Sequence, residues 1–306
     1  MAASPSVAIV VVNFNSASYI DSLIDSLNGL SYEHFAVTVV DNASTDGSAE
    51  RIDARLIGST VVRNATNAGF ASAVNRGLGV ALQTEPDYVL LLNPDTTFEP
   101  EMLDRLVAGA DFRTMLVPKV LSTADGTLAG HAGRFDWKRG LQYDTHDGEA
   151  DTPEVTQPRD LETGSFSCML IPVSAFRVVG PLDERLAFYY EDTDFVERAR
   201  KAGYRLRYQP AAVVYHREGA SSGGRASEFP TYYTTRNRPF VVRKHVSTPV
   251  FAFFSFYFLV TRLLRCGELV QARQWSVLFA VLRGMRDYYT GRMGMTYTPA
   301  QLVKQK

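Results

Sequence analysis

The sequence predicts an α/β fold, a mixed and mostly parallel sheet flanked by helices, with a small helical extension at the C-terminal end. Three observations carry this expectation. Short β-branched or wholly apolar runs recur through the first 110 residues, segments with helical spacing separate them, and polar residues gather directly behind the runs.

The runs Val7–Val12 (VAIVVV), Phe35–Val40 (FAVTVV), Ser59–Arg63 (STVVR) and Tyr88–Leu92 (YVLLL) read as strands buried on both faces. Between them, Ser18–Leu30, Asp46–Leu56 and Gly69–Leu82 have helical periodicity, with Ser18, Thr45 or Asp46, and Asn67 with Gly69 as start signals. Such βαβ connections are right-handed, and open sheets of this kind bind ligands beyond the carboxyl ends of their strands. The residues at those ends are Asn13, Phe14 and Asn15, then Asp41, Asn42, Ser44 and Asp46, then Asn93, Pro94 and Asp95. A helix is expected near Glu99–Gly109. Thr114–Gln157 reads as a hairpin-rich insertion with a mobile loop around His146–Pro158. Strand character resumes over Leu161–Ile171, followed by short helix Ala175–Gly180 and a stronger helix Glu191–Ala202, whose acids precede its bases and which stops at Gly203.

Composition sets further bounds. The formal net charge of -1 hides a basic segment 236–306 of net +10 on an acidic remainder of net -11. That balance argues against a nucleic-acid binder and for local contact with phosphate or a membrane surface. Cys168 and Cys266 lack ligand spacing and read as reduced core residues. The N-terminus has no signal-peptide pattern, so a cytoplasmic chain is expected. The apolar run Pro249–Val260 (PVFAFFSFYFLV) falls short of the ~20 residues of a spanning helix. It fits either an interfacial helix or a buried one.

No G-x-G-x-x-G follows the first strand and no P-loop pattern occurs, so a diphosphate would need a cation. Asp95, at the tip of a buried strand, suits a Mg²⁺ or Mn²⁺ ligand, or equally an Asx turn. FYYEDTDFVER (188–198) places acids at a helix start beside aromatic rings. They fit a general base or simple dipole partners, and Asp194 with Arg198 reads as a structural i,i+4 pair. VVYHREGASSGG (213–224) reads as a strand ending in His216 and a small-residue loop, a metal ligand before a phosphate cover or a structural histidine.

Together VVNFN (11–15), VVDNASTDGS (39–48), NAGFASAVNRG (67–77), LLLNPD (90–95), GSFSCMLIP (164–172), VGPLDE with YYEDTDFVER (179–198) and VVYHREGAS with YYTTRNR (213–238) resemble the family 2 glycosyltransferases of the Rossmann-like GT-A fold, nearest the bacterial rhamnosyltransferase-like branch. The resemblance implies a GT-A domain over 1–245, with a nucleotide-binding half (1–110) and an acceptor and catalytic half (111–245). Residues 246–306 are left as a basic amphipathic extension that is a candidate membrane contact through 249–292. It implies Asp192 as inverting catalytic base, with Glu191 as the second choice. Asn13, Asn15, Asp41, Asn67, Gly69, Asn93 and Arg236 are implied at the nucleotide-sugar, and Asp95 with His216 at the divalent cation. Asn93 replaces the first acid of the family's DxD motif, which leaves Asp95 as the sole carboxylate of that turn. The implied reaction is metal-dependent transfer of a single sugar, L-rhamnose from dTDP-rhamnose or a sugar from a UDP donor, to a glycan or polyprenyl-diphosphate-linked acceptor. The implied place is the cytoplasm, peripheral to the inner face of the plasma membrane. A noncatalytic nucleotide-sugar or membrane-docking protein is the reading from another class.

Overall fold

A computed structural model describes residues 4–129, 132–144, 146–217 and 227–298. Its first half follows the expected alternation: β1 (Val7–Asn13), α1 (Ile20–Asn28), β2 (Phe35–Asp41), α2 (Ser48–Arg55), β3 (Thr60–Arg63), α3 (Phe70–Ala81) and β4 (Tyr88–Leu92). β5 (Thr96–Phe98), α4 (Met102–Val107), β6 (Thr114–Ser122), β7 (Ala132–Asp136) and β8 (Leu141–Asp144) come next. The chain then forms β9 (Arg159–Leu161), β10 (Thr163–Gly164), β11 (Cys168–Pro172), α5 (Val173–Val179), α6 (Glu191–Lys201) and β12 (Arg205–His216). Three helices close it: α7 (Glu228–His245), α8 (Thr248–Gln271) and α9 (Trp275–Tyr289).

Among the described residues the main sheet runs β3-β2-β1-β4-β11-β6-β12-β5, with β9 on β12, and a small sheet runs β10-β7-β8. β1 to β4 pair in parallel, β11 is antiparallel to both its neighbours, and β6 and β12 are parallel. Alternation along β1 divides the core: Ala8, Val10 and Val12 face α3, while Val7, Ile9 and Val11 pack with Leu23, Ile24 and Leu27 of α1. α3 lies close on its face because Gly77 is bare there. A Cβ at that position would stand 2.6 Å from Val10 Cγ1.

Several expectations needed correction. Ser18 does not cap α1; the Ser16 carbonyl receives the Tyr19 and Ile20 amides instead. The run 161–171 breaks into three strands because residues 165–167 turn across the tip of β4, where the Asn93 amide donates to the Ser167 carbonyl at 2.9 Å. The stretch 146–158 contains a short 3₁₀ turn, Pro153–Thr156, and is tied to the body by a 2.6 Å Lys119–Asp151 ion pair. His216 ends a strand of twelve residues rather than a short one. The small-residue loop expected up to Gly224 lies largely outside the described residues.

The C-terminal helical extension packs on the rest of the chain. The Tyr232 hydroxyl of α7 donates to Asp287 of α9 at 2.7 Å, and Gly294 donates its amide to the Arg185 carbonyl at 2.7 Å. α8 also runs through the polar end of PVFAFFSFYFLV to 24 residues, long and apolar enough by length and composition to cross a bilayer. The expectation of a segment too short to span is corrected by that continuation.

Candidate active site

The last residues of β1 and β2, Asn13 and Asp41, are register partners. Asn13 Nδ2 donates to Asp41 Oδ1 at 2.8 Å and lies 3.1 Å from Ser44 Oγ and 3.0 Å from Ser48 Oγ. Asp41 Oδ2 accepts the Ser44 amide at 3.2 Å, and Asn15, at a left-handed φ of 48°, accepts the Thr45 amide at 2.9 Å. These bonds lash the loops after β1 and β2 together. Asn13, fully buried, Asp41, 4% exposed, and the half-buried Asn15 stand behind the residues that line the neighbouring cavity. Asn42 takes the wall position instead. Its Nδ2 donates to Asn67 Oδ1 at 2.8 Å, and Asn67 Oδ1 also receives the Gly69 amide at 3.0 Å.

Asp95 follows the tip of β4. The Thr96 hydroxyl donates to the Asn93 carbonyl at 2.7 Å and the Arg217 amide to the Asp95 carbonyl at 3.0 Å, so both sides of the turn are fixed. β5 pairs with β12 and brings His216 opposite Thr96. His216 Nε2 then lies 3.0 Å from Asp95 Oδ1, both side chains being nearly buried. Two cis ligands of an octahedral ion, each about 2.1 Å from it, stand about 3.0 Å apart, so this pair fits a divalent cation. No group of three or more His, Cys, Asp or Glu side chains placed to hold a metal ion by themselves occurs among the described residues. Diphosphate oxygens and water would complete such a shell, as is usual for Mg²⁺.

The segment before α6 is unusual in its backbone. Ala187, Tyr189 and Tyr190 all have left-handed φ, at 59°, 63° and 72°. Non-glycine residues persist there only where the surroundings over-determine them. Those surroundings are explicit. Asn237 Nδ2 lies 2.8, 2.7 and 3.0 Å from the Leu186, Phe188 and Tyr189 carbonyls, and Arg236 Nη2 donates to Leu186 at 2.9 Å. Ala71 at the start of α3 donates to the Ala187 carbonyl at 3.1 Å. Gly69 permits that approach, since a Cβ there would meet Ala187 Cβ at 2.9 Å. Arg236 is therefore misplaced as a phosphate contact. It is fully buried, and its guanidinium donates to the carbonyls of Leu186, Arg185 and Gly294 and to Thr296.

Held this way, Tyr190 presents Glu191 and Asp192 at the first turn of α6, where the helix dipole favours negative charge. Asp192 Oδ1 receives the Thr193 amide at 2.6 Å. Glu191 is 7% exposed, and its Oε2 has no hydrogen-bond partner among the described residues. Burial pushes the Glu191 carboxyl well above the ordinary carboxylate range, and the Asp192 charge adds to the shift. Asp194 is the structural acid expected from spacing. Burial raises its pKa, but the His245 bond, the Arg198 charge at 2.9 Å and Lys244 outweigh that and hold it well below the usual range.

Glu191 and Asp192 open into a cavity of about 420 Å³ together with Asn42, Asn67 and Asn93. Ser165 and Ser167 form its floor across the tip of β4, and Met295 and Thr298 reach it from beyond α9. Of the strand-end and candidate site residues singled out in the sequence, Phe14, Asn42, Asn67, Asn93, Pro94, Glu191 and Asp192 meet there. Asp95 and His216 sit one residue beyond the Asn93–Pro94 wall. Asn42 was visible in VVDN and the serines in GSFSC. Met295 and Thr298 carry no local signal.

A sheet with its polar groups at the tips of parallel strands, facing a paired-acid helix start across one cleft, defines a GT-A-type glycosyltransferase. The solved mannosyltransferase PcManGT from Pyrobaculum calidifontis, in complex with GDP-Man and Mn²⁺, shares this architecture: TM-score 0.59 at 13% identity, covering 95% of this chain and 89% of that one. The model described as Glycosyl transferase family 2 matches residues 8–177, and the chain belongs to that family. It is 28% identical over 241 residues to N-acetylglucosaminyl-diphospho-decaprenol L-rhamnosyltransferase of Mycobacterium tuberculosis, covering 70% of this chain and 77% of the relative. It is 25% identical to the low-salt glycan biosynthesis hexosyltransferase Agl10 of Haloferax volcanii, covering 76% and 73%. The protein is a hexosyltransferase.

Proposed function

We propose that the protein transfers a single sugar with inversion, L-rhamnose from a dTDP donor, to a polyprenyl-diphosphate-linked acceptor at the cytoplasmic face of the plasma membrane. The observation that carries this reading is the Glu191–Asp192 pair opening into the cavity that Asn42, Asn67 and Asn93 line from the opposite side. The donor's nucleoside end is assigned to the tips of β1 and β2, where Asp41 acts through its bonds to Asn13 and Ser44 and Asn42 lines the cavity. The sugar lies between Asn93 and Asp192.

The two acids divide their roles. A carboxyl pushed up by burial beside a second carboxylate keeps its proton to higher pH than an ordinary carboxylate, which disfavours it as the base. Glu191 is then assigned to hydrogen-bonding the sugar, and Asp192 is the base. The acceptor oxygen bonds to the anomeric carbon, the bond from that carbon to the diphosphate oxygen breaks, and Asp192 takes the hydroxyl proton. Asp95 and His216 are the residues that would hold a Mg²⁺ or Mn²⁺ ion, which supplies Lewis-acid neutralisation of the departing diphosphate.

The relative's printed acceptor and sugar support the choice of substrates, and the aromatic residues that line the cleft, such as Phe188 and Tyr189, suit a sugar ring. The test is a panel of dTDP-, UDP- and GDP-sugars with Mn²⁺ or Mg²⁺ and a polyprenyl-diphosphate-sugar acceptor. The product should form from dTDP-rhamnose with the anomeric configuration opposite to that of the donor. Retention of configuration, or transfer from a UDP- or GDP-sugar alone, would overturn the assignment.

A further inference from the structure

α8 carries its apolar residues on the outside. Phe253, Phe256, Leu259, Val260, Leu263 and Leu264 recur at three- and four-residue spacing and are all exposed, Phe256 by 70% and Leu264 by 65%. Only 11% of its most apolar stretch is buried. α9 repeats the arrangement with Trp275, Phe279, Leu282 and Tyr289 exposed. The inward faces are already satisfied: Phe254 and Phe258 pack on Val242 of α7, and Leu269 packs with Leu278 and Val281. The outward stripes are thus surplus to the fold, and patches of this kind mark a docking surface.

The charges beside the stripes indicate what covers them. Arg243 precedes α8, Arg273 sits between the helices, and Arg286 and Arg292 lie at and beyond the end of α9, all exposed. From 246 to 298 Glu268 is the one exposed acid, because Asp287 is buried. We propose that α8 and α9 form a monotopic platform seated on an anionic bilayer, with Phe, Leu and Trp side chains at the acyl boundary and arginines on lipid phosphates.

Two other occupants fit less well. A helix crossing the bilayer alone would present its whole circumference to lipid. α8 instead has one long face packed on protein, with the Arg238 guanidinium 5.8 Å from the Phe254 ring and 5.5 Å from the Phe258 ring. A second copy pairing through the same patch would bring two basic surfaces together. The platform also leads directly to the cavity, since the chain leaving α9 supplies Met295 and Thr298 to its wall. Seating the helices therefore holds the cavity a short chain segment from the lipid surface.

The test is vesicle flotation of the full chain with phosphatidylcholine alone or mixed with phosphatidylglycerol, comparing wild type with the triple variant Phe256→Glu, Leu263→Glu, Phe279→Glu. Wild type should float with the mixed vesicles, less so at high salt, and the variant's partitioning should fall at least about tenfold. Donor hydrolysis in solution should be equal for the two, which separates loss of docking from loss of the transferase site. Four results would overturn the proposal: no flotation of wild type, equal flotation of the variant, retention of wild type on the vesicles through alkaline carbonate, or a wild-type dimer that the variant dissolves while neither binds vesicles.

Discussion

Replacing Asn237 by Ala should disable the enzyme without touching any group that meets substrate. The Asn237 amide has two protons and lies within 3.0 Å of three carbonyls, those of Leu186, Phe188 and Tyr189. It is fully buried, so no water replaces it. Two hydrogen bonds of about 1 kcal/mol each are lost, and buried carbonyls are left unsatisfied at roughly 1–3 kcal/mol more. The left-handed Ala187 and Tyr189 between those carbonyls, and Tyr190 directly after them, each store about 1–3 kcal/mol that the bonds oppose. A net destabilisation of about 2–4 kcal/mol is expected, concentrated on the segment that delivers Asp192. Displacement of a reacting group by about 1 Å costs on the order of 100-fold in rate. The assay is steady-state transfer with thermal melting alongside. kcat should fall about 100-fold while KM for the donor changes less than about threefold, because Asn42 and Asn67 stay in place. Asn237→Asp should behave alike, since a carboxylate cannot donate to those carbonyls. A folded Asn237→Ala variant with kcat near wild type would refute this account of how the segment is held.

Two further outcomes follow from the same geometry. The folded Glu191 pKa is raised, so its contribution to stability is present below the unfolded carboxylate value and is lost as pH rises toward the folded one. Melting temperature should therefore decline across that window in wild type, and Glu191→Gln should flatten the decline; parallel curves would contradict the assignment of Glu191 as the acid that keeps its proton to higher pH. Asp95→Asn should abolish the metal dependence of nucleotide binding: wild type should be stabilised by dTDP more strongly with Mn²⁺ than without it, and the variant equally in both, as read by thermal shift. A variant that keeps the Mn²⁺ increment would move the ion elsewhere.

The nucleotide-binding half was legible in the sequence because its strands are buried on both faces and read as unbroken apolar runs, such as VAIVVV and YVLLL. The acids of FYYED were legible for a local reason as well, standing at a helix start. What the sequence hid was direction and distance. Asn13 and Asp41 turn toward each other, and only the register of β1 on β2 reveals it. The resemblance implies Arg236 at the nucleotide-sugar, yet its partners are carbonyls about fifty residues away and the Gly294–Thr296 strap. Arg205–Tyr208 alternates buried and exposed residues and extends the strand that ends in His216 back to twelve residues, beyond the apolar run VVYH. The apolar stripe of α8 showed its composition in advance and its exposure only in the fold.

The central claim is that Asp192 accepts the acceptor's proton across the cleft from the donor, and single-turnover transfer by Asp192→Asn tests it most directly. A base of this kind contributes about 10²–10⁴-fold. The variant should bind dTDP and metal as wild type does and transfer sugar at least about 100-fold more slowly across the pH range. Transfer within tenfold of wild type would assign the proton to another group and leave Asp192 a spectator.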